Sequence, residues 1–129
     1  MDENPAPLPI EIEAVDRGAA LARLDPAPKD PVALFALAER SSRAAVLGAA
    51  RPLRVELHPG EGENRVRYLR SAHATLHAAA AVEMEIVDDF VDALGREGRI
   101  SALVNVVVID EDGEPVARAS FDWVVLRRS

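Results

Sequence analysis

Apolar and charged residues alternate over several short stretches of the chain, and the first stretch lies near the N-terminus. Residues 10–15 alternate apolar and acidic side chains, a period of two that predicts a half-buried strand. Residues 16–18 are a turn signal, and residues 19–24 follow as the predicted return strand of a hairpin. Residues 1–9 contain three prolines and are predicted to form an extended leader.

A long alanine-rich helix is predicted next. Asp30 is a suitable N-cap because its carboxylate accepts free N–H groups of the first turn, and Pro31 suits the first helical position. The helix is predicted to continue through Leu47, with Gly48 and Pro52 marking its end region. Its first two turns are apolar on every side, which predicts burial on more than one face.

The remaining pattern is mostly that of strands. Residues 74–86 are rich in alanine, which also favours helix, but their larger apolar side chains fall on one face at period two, so we predict a strand. Residues 87–96 are predicted to form a short amphipathic helix or a turn, in which Asp88, Asp89 and Asp92 make an acidic start and not a metal cluster. The other predicted elements are strands at residues 53–57 and 66–70, a polar loop at residues 58–64, and a final hairpin of residues 100–109 and 116–126 around a turn at residues 110–114. In the last strand, alternation predicts that one face carries Ala117, Ala119, Phe121, Trp123 and Val125.

This order of elements predicts the fold class. A hairpin, a long buried helix and further strands with a small helical interruption favour an α+β domain, in which one helix packs on an antiparallel sheet. The chain has 129 residues, 49% hydrophobic and 29% charged, which suits one globular domain over residues 1–129. It contains no cysteine, which excludes disulfides, a thiolate nucleophile and cysteine-ligated metal.

Charge and hydropathy limit the kinds of partner. The formal net charge is −7, so the chain has no general electrostatic attraction to nucleic acid or anionic lipid. Its N-terminus has no apolar signal region, and no apolar run approaches the roughly 20 residues that span a bilayer. We therefore expect a cytoplasmic protein without a nucleic-acid or membrane partner. Lys29 is the only lysine, and the abundant alanine and arginine indicate a GC-rich bacterial genome.

The histidines do not predict a metal site. His73 and His77 share a face if their segment is a strand, but they then lie about 13 Å apart, too far to bind one ion. On a helix the same spacing suits zinc, but no H-E-x-x-H motif is present. We predict solvent-facing strand residues here, an exposed His58, and no metal.

Three stretches carry a resemblance to a known family. Residues 33–39 have the sequence ALFALAE, similar to the family's central helix, and residues 65–72 have RVRYLRSA, similar to a strand that commonly has RYLRPA. Residues 106–128 are similar to its last two strands, including the Asp-Gly turn. Over residues 10–128 the chain thus resembles the hotdog-fold thioesterases of the PaaI-like group and their relatives. The resemblance implies an α+β hotdog fold, an antiparallel sheet wrapped around one long central helix.

The resemblance also implies an activity, the hydrolysis of an acyl-CoA or acyl-carrier thioester without a cofactor. Glu39 matches the position of the family's catalytic carboxylate, which attacks the thioester or activates a water molecule. It follows an apolar stretch, and partial burial would make it a base that works near neutral pH. Arg43 lies four residues later, so the alternative is an ordinary ion pair on the helix surface.

Further residues are candidates for substrate binding. Arginines of the RVRYLR strand could bind coenzyme A phosphates through bidentate hydrogen bonds, or they could form a solvated strand face with cross-strand ion pairs. The serine hydroxyls on the helix could donate to water or substrate, or they could fill tight contacts between helix and sheet. No Ser-His-Asp arrangement can be argued from the sequence. The predicted substrate-binding residues are Ser42, Asn64, Arg67, Tyr68 and Arg70.

The resemblance also implies how the protein assembles, and a departure from the family pattern leads to a second hypothesis about function. Hotdog proteins usually pair into dimers whose sheets join, which implies a homodimer or a dimer of dimers with the site between protomers. Active members carry an Asn or His and a Gly-Gly turn just before the helix, where backbone N–H groups reach the oxyanion. Residues 25–31 have no glycine or histidine, and their three prolines lack N–H donors. The alternative is therefore a non-catalytic hotdog module that binds an acyl ligand or serves as an assembly partner.

Overall fold

The elements follow the predicted order along the chain. The computed structural model describes residues 9–25, 31–62, 64–70, 75–83 and 87–128, with the backbone alone at residues 87 and 88. These residues form the strands β1 (Ile10–Asp16), β2 (Ala19–Leu24), β3 (Val55–Pro59), β4 (Arg65–Tyr68), β5 (Leu76–Val82), β6 (Arg99–Ile109) and β7 (Pro115–Arg127), and the helices α1 (Pro31–Ala50) and α2 (Val87–Glu97).

One antiparallel sheet contains all of the described strands. Its order is β1-β2-β5-β6-β7-β3, and β4 lies beside β3 because both pair with β7. Val55–Pro59 pairs with residues 123–127 of β7, and Arg65–Tyr68 pairs with residues 117–120. One edge of the sheet is therefore β1, and the other is shared by β3 and β4. The predicted hairpins β1–β2 and β6–β7 are both confirmed.

Helix α1 lies against one face of the sheet, which we call the inner face. It packs mainly on β2 and β5, and then on β6 and β1. Strand β7 alternates as predicted, so that Ala117, Ala119, Phe121, Trp123 and Val125 are all buried on the inner face. An antiparallel sheet wrapped around one long helix, the predicted α+β architecture, is thus confirmed.

The start of α1 is buried on one side only, which corrects one expectation. Ala33, Leu34, Leu37 and Ala38 enter the core, but the side chain of Val32 remains 68% exposed. The apolar pattern predicted burial on more than one face. Within one chain, the sheet covers a single side of these turns.

The end of α1 also differs from the prediction. The helix continues to Ala50, so Gly48 lies inside it and is buried. A Cβ atom at Gly48 would lie 2.6 Å from the carbonyl oxygen of Asp16 and 2.6 Å from Cγ1 of Val15. This glycine therefore permits close approach of α1 to β1 and is not a helix-ending residue.

The bounds of strands β3 and β5 also differ from those predicted. Strand β3 begins at Val55 and continues through His58 and Pro59, which were predicted to be loop, because pairing with β7 extends to Trp123. Strand β5 ends at Val82, and part of the predicted strand 74–86 lies outside the described residues. Helix α2 is confirmed, and it is followed by Gly98, whose positive φ of 75° allows its N–H to bond the carbonyl of Leu94.

Replacing Gly48 by alanine tests the close approach of α1 to β1. We expect a loss of about 1–2 kcal/mol in the free energy of unfolding, because overpacking against backbone outweighs the roughly 1 kcal/mol that alanine gains in a helix. Urea denaturation measures it. Gly95→Ala in α2 is the matched control, because a Cβ there has no neighbour within 4 Å and should stabilise the protein. Equal stabilisation by both changes would contradict the interpretation.

Candidate functional site

A strip of residues along α1 faces the part of the sheet that the helix covers least. Pro31, Phe35, Glu39 and Arg43 are spaced by four, so they lie on one side of the helix. We call them the Glu39 strip. Pro31 contacts Tyr68 of β4, while Phe35 and Arg43 contact aromatic rings of β7, on the side of the sheet opposite to β1.

Aromatic side chains flank Glu39 on its N-terminal side. The rings of Phe35 and Phe121 meet edge to face, with centroids 5.7 Å apart and planes at 71°. One turn earlier, the hydroxyl of Tyr68 donates to the carbonyl of Pro31 at 3.2 Å. An apolar wall formed by two strands and the helix therefore leads to the carboxylate.

The carboxylate of Glu39 is half-buried and paired. Its side chain is 36% exposed, and Oε1 lies 3.6 Å from Nη2 of Arg43, whose side chain is 51% exposed. The helix-surface ion pair that the spacing suggested is therefore present. Exposed pairs of this kind are worth only about 0.2–1 kcal/mol, so a ligand can compete for either group.

Ser42 and Trp123 hold the helix turn that carries Glu39. The Ser42 hydroxyl donates to the carbonyl of Glu39 at 2.7 Å and accepts from indole Nε1 of Trp123 at 3.1 Å. The same indole ring lies under Arg43, whose Cζ is 5.2 Å from the ring centroid. Ser42 is fully buried within the chain, so it supports the strip from below.

Two other predicted substrate-binding residues also have structural partners. Asn64 accepts from the backbone N–H of Asp122 at 2.9 Å, and the Asp122 carboxylate accepts from the N–H of Gly62 at 2.9 Å. These bonds shape the connection from β3 to β4. The guanidinium of Arg70 pairs with Asp110, a carboxylate only 5% exposed that also accepts backbone N–H groups of the β6–β7 turn.

Arg67 lies on the opposite face of the sheet from Glu39. It alternates with Val66 and Tyr68, which point to the inner face, and it stands directly across from Arg118 on β7. The two arginines line a cavity of about 420 Å³ on the outer face together with Asn105 and Ser120. The sheet therefore separates Arg67 from the Glu39 strip of the same chain.

The histidines lie outside this region. Nδ1 of His77 is 3.7 Å from Glu13, and Nε2 of the exposed His58 is 3.5 Å from Glu56, while His73 is outside the described residues. Among residues whose positions are given, no three His, Asp or Glu side chains are grouped to hold a metal ion. Neither α1 nor α2 is long and apolar enough to cross a membrane.

The segment of residues 25–31 leads into α1. Asp25 and Pro31 are described, and residues 26–30, including the predicted N-cap Asp30, lie outside the described residues. The sequence analysis did not single out the aromatic residues of the site, namely Phe35, Phe121 and, most importantly, Trp123. Its inward orientation followed from alternation in β7, but its contacts with Ser42 and Arg43 depend on how α1 crosses the sheet.

Comparison with known proteins supports the architecture. No known family model matches the chain, and no curated protein matches it in sequence. A Pseudomonas aeruginosa protein named as a probable thioesterase superposes with a TM-score of 0.77 at 21% identity, over 92% of this chain and 83% of that one. A hypothetical thioesterase from Streptococcus pneumoniae, solved with coenzyme A, gives 0.67 at 18% identity, over 93% and 88%. A thioesterase variant from P. aeruginosa gives 0.72 at 18%, over 94% and 84%.

These likenesses confirm the resemblance at the level of the fold. The chain has the hotdog fold, with its antiparallel sheet curled around α1. The three structures cover nearly the whole chain, and each is at least 83% covered in return. At sequence identities of 18–21%, structural likeness shows a shared fold but does not show a shared activity.

Removing one hydroxyl tests the support beneath Glu39. Ser42→Ala should lower the free energy of unfolding by about 1–2 kcal/mol, because the buried indole N–H of Trp123 loses its acceptor. Trp123 is the only tryptophan, so its fluorescence should shift as well. Ser41→Ala is the matched control, since that buried hydroxyl bonds only to Ala38 of its own helix. Equal effects of both variants would refute the assignment.

A second comparison tests the structural role of Arg70. Arg70→Ala should cost about 1–3 kcal/mol in chemical denaturation, because the buried carboxylate of Asp110 loses a charged partner. The exposed Arg54 provides the control, and Arg54→Ala should change stability by less than about 0.5 kcal/mol. A stable Arg70→Ala protein would return Arg70 to the list of possible ligand-binding residues.

Proposed function

We propose that this protein hydrolyses an acyl thioester, carried by coenzyme A or an acyl-carrier protein, at the Glu39 strip. The observation that carries the proposal is the position of Glu39, a solvent-reachable carboxylate at the end of an aromatic wall on the central helix. The solved structures that share the fold support it, because they are named as thioesterases and one was solved with coenzyme A.

Glu39 acts as a base or as a nucleophile. As a base, it takes a proton from water while the water oxygen attacks the thioester carbonyl carbon; the C–S bond then breaks and the thiolate receives a proton. As a nucleophile, its carboxylate attacks that carbon directly, the C–S bond breaks, and the thiolate leaves and takes a proton from solvent. Water then hydrolyses the resulting mixed anhydride to the free acid and regenerates Glu39. Either route consumes only water and needs neither a cofactor nor a metal.

The neighbours of Glu39 have distinct roles in this proposal. Phe35, supported from behind by the buried ring of Phe121, provides the apolar surface for the acyl group, and Tyr68 closes the wall beside Pro31. Arg43 balances the charge of the carboxylate in the absence of substrate. Ser42 is a positioning residue, because it acts through the Glu39 carbonyl and through Trp123.

A homodimer completes the site. Val32, Phe35, Tyr68 and Leu69 are exposed apolar side chains near the start of α1 and the end of β4. Their closeness is set by the bond from Tyr68 to Pro31. Exposed apolar groups at a sheet edge favour association, and a second protomer at β4 would cover them and enclose the acyl group. We propose further that the protein acts in the cytoplasm, without nucleic-acid or membrane partners.

An acyl-CoA panel with the Glu39→Gln variant tests this function. The wild type should release free thiol from at least one short, medium, long or aryl acyl-CoA, and the variant should lose about tenfold or more in kcat/KM, because general-base or nucleophilic catalysis is removed. A thiol-reactive dye measures the release.

Glu56→Gln is the control, since Glu56 is also an exposed carboxylate in a weak pair, with His58, but it lies away from the Glu39 strip. It should leave turnover unchanged. No turnover of any member of the panel would refute the hydrolase. If acyl-CoA or a fatty acid then raised the melting temperature without being consumed, the non-catalytic binding module would be the better description.

A further inference from the structure

Arg43 is the last residue of the Glu39 strip, and its contacts leave its hydrogen-bond donors available. Nη2 lies 3.6 Å from Oε1 of Glu39, and Cζ lies 5.2 Å from the ring centroid of Trp123. Among the residues that the structure describes, these are the two contacts of the guanidinium. Since an N–H···O hydrogen bond measures roughly 2.7–3.2 Å, the group lies beside the carboxylate without donating to it.

The position of this guanidinium is restricted, and solvent still reaches it. The indole ring of Trp123 beneath it is buried, and a cation over such a ring is attracted to its face. The Arg43 side chain itself is half exposed. A guanidinium is planar, carries five N–H donors in a fixed fork and stays protonated in proteins. A permanent cation with unused donors therefore stands beside Glu39 and is open to a ligand.

Hydrolysis of a thioester at Glu39 needs such donors. Attack on the carbonyl carbon moves an electron pair of the C=O bond onto its oxygen, which becomes an oxyanion. Donors aimed at that oxygen usually make the largest single contribution to catalysis of acyl transfer. The attacking oxygen and the oxyanion are bonded to the same carbon, so these donors have to lie close to the Glu39 carboxylate.

The other donors around Glu39 are already used within the chain. The Ser42 hydroxyl donates to the Glu39 carbonyl, the indole N–H of Trp123 donates to Ser42, and the Tyr68 hydroxyl donates to the backbone at the start of α1. Backbone N–H groups beside Glu39 lie inside α1 and belong to its hydrogen-bond ladder. Within the described part of the strip and its partners, Arg43 is the residue that keeps donors for a ligand.

The start of α1 does not replace Arg43 in this role. Helix α1 begins at Pro31, eight residues before Glu39, which is about 12 Å along the axis at 1.5 Å per residue. Free N–H groups of its first turn therefore do not reach a carbonyl that Glu39 attacks in the same chain. Residues 25–31 also contain three prolines, which have no N–H to donate. A second protomer would bring an entry with the same three missing donors.

We propose that Arg43 is a catalytic residue, whose guanidinium donates hydrogen bonds to the oxyanion of the thioester. This inference rests on the proposed hydrolysis at Glu39 and deepens it. The new C–O bond forms, the carbonyl electron pair moves onto oxygen, and the guanidinium binds that oxygen while keeping its own proton. The carbonyl then forms again as the C–S bond breaks, and the thiolate leaves and takes a proton.

The ion pair with Glu39 prepares Arg43 for this step. It places the cation beside the attacking group before substrate binds, so that little reorganisation is needed when charge develops on the carbonyl oxygen. An exposed pair of this kind is weak, so the guanidinium can exchange the carboxylate for the oxyanion at small cost. Trp123 keeps the group over its ring during that exchange.

Steady-state kinetics of the Arg43→Gln variant make the first test, with the acyl-CoA that the wild type hydrolyses fastest. We expect kcat to fall about 100-fold with little change in KM, because the lost interaction forms only in the transition state. Arg43→Lys keeps the charge but not the fork of donors, and its kcat should lie between the two. Arg40→Gln is the control, since Arg40 is an exposed arginine of the same helix outside the strip, and it should leave kcat unchanged.

Calorimetric binding of two analogues of that acyl-CoA makes the second test and separates an oxyanion donor from a residue that only positions Glu39. A trifluoromethyl ketone analogue hydrates to a tetrahedral species with an oxygen at the oxyanion position, whereas a thioether analogue has a CH2 group in place of the carbonyl. Arg43→Gln should weaken binding of the ketone by about tenfold or more and leave binding of the thioether unchanged.

The outcomes distinguish this inference from the proposed function. A wild type that hydrolyses no member of the panel overturns the hydrolase and the role of Arg43 together. An active wild type that loses turnover in Glu39→Gln but keeps its kcat in Arg43→Gln overturns the role of Arg43 alone. Equal loss of affinity for both analogues, or no loss for either, also overturns that role and leaves hydrolysis at Glu39 standing.

Discussion

Burial of α1 against the inner face of the sheet is the interaction on which the rest of the structure depends. The helix contributes a continuous set of small and aliphatic side chains, and the strands contribute alanines and valines, so the two layers approach closely. At Gly48 the approach is so close that no side chain fits between α1 and β1. Because the helix packs mainly on β2 and β5, its other side faces β7 and β4.

That offset explains the composition of the Glu39 strip. Small residues suffice where α1 meets alanine-rich strands, whereas the wider gap to β7 is filled by Phe35, Phe121 and Trp123. Ser42 then connects Trp123 to the backbone of Glu39, so the orientation of the carboxylate depends on a strand 81 residues further along the chain. The site is therefore a product of the interlayer packing and not of a local motif.

The inner and outer faces of the sheet differ in the residues that they carry. The inner face builds the core and the Glu39 strip, while the outer face combines an alanine centre with opposite charges at its two ends. Arg67 and Tyr68 are adjacent in sequence, yet period two sends one to each face. The proposed site and the outer face of the sheet therefore both involve this short strand without sharing a side chain.

The pattern of the sequence fixes the order of the elements, the inward residues of β7 and the start of α1 at Pro31, because periodicity and turn chemistry are local properties. The hotdog architecture was instead implied by the resemblance to a known family. The pattern also placed Glu39 and Arg43 one helical turn apart. The structural partners of Ser42, Asn64 and Arg70, the place of Gly48 inside the helix and the pairing of Arg67 with Arg118 could not be read from the sequence. These contacts depend on which strands become neighbours in the sheet. Strand pairing is stabilised by packing of the whole core and not by any single stretch of sequence.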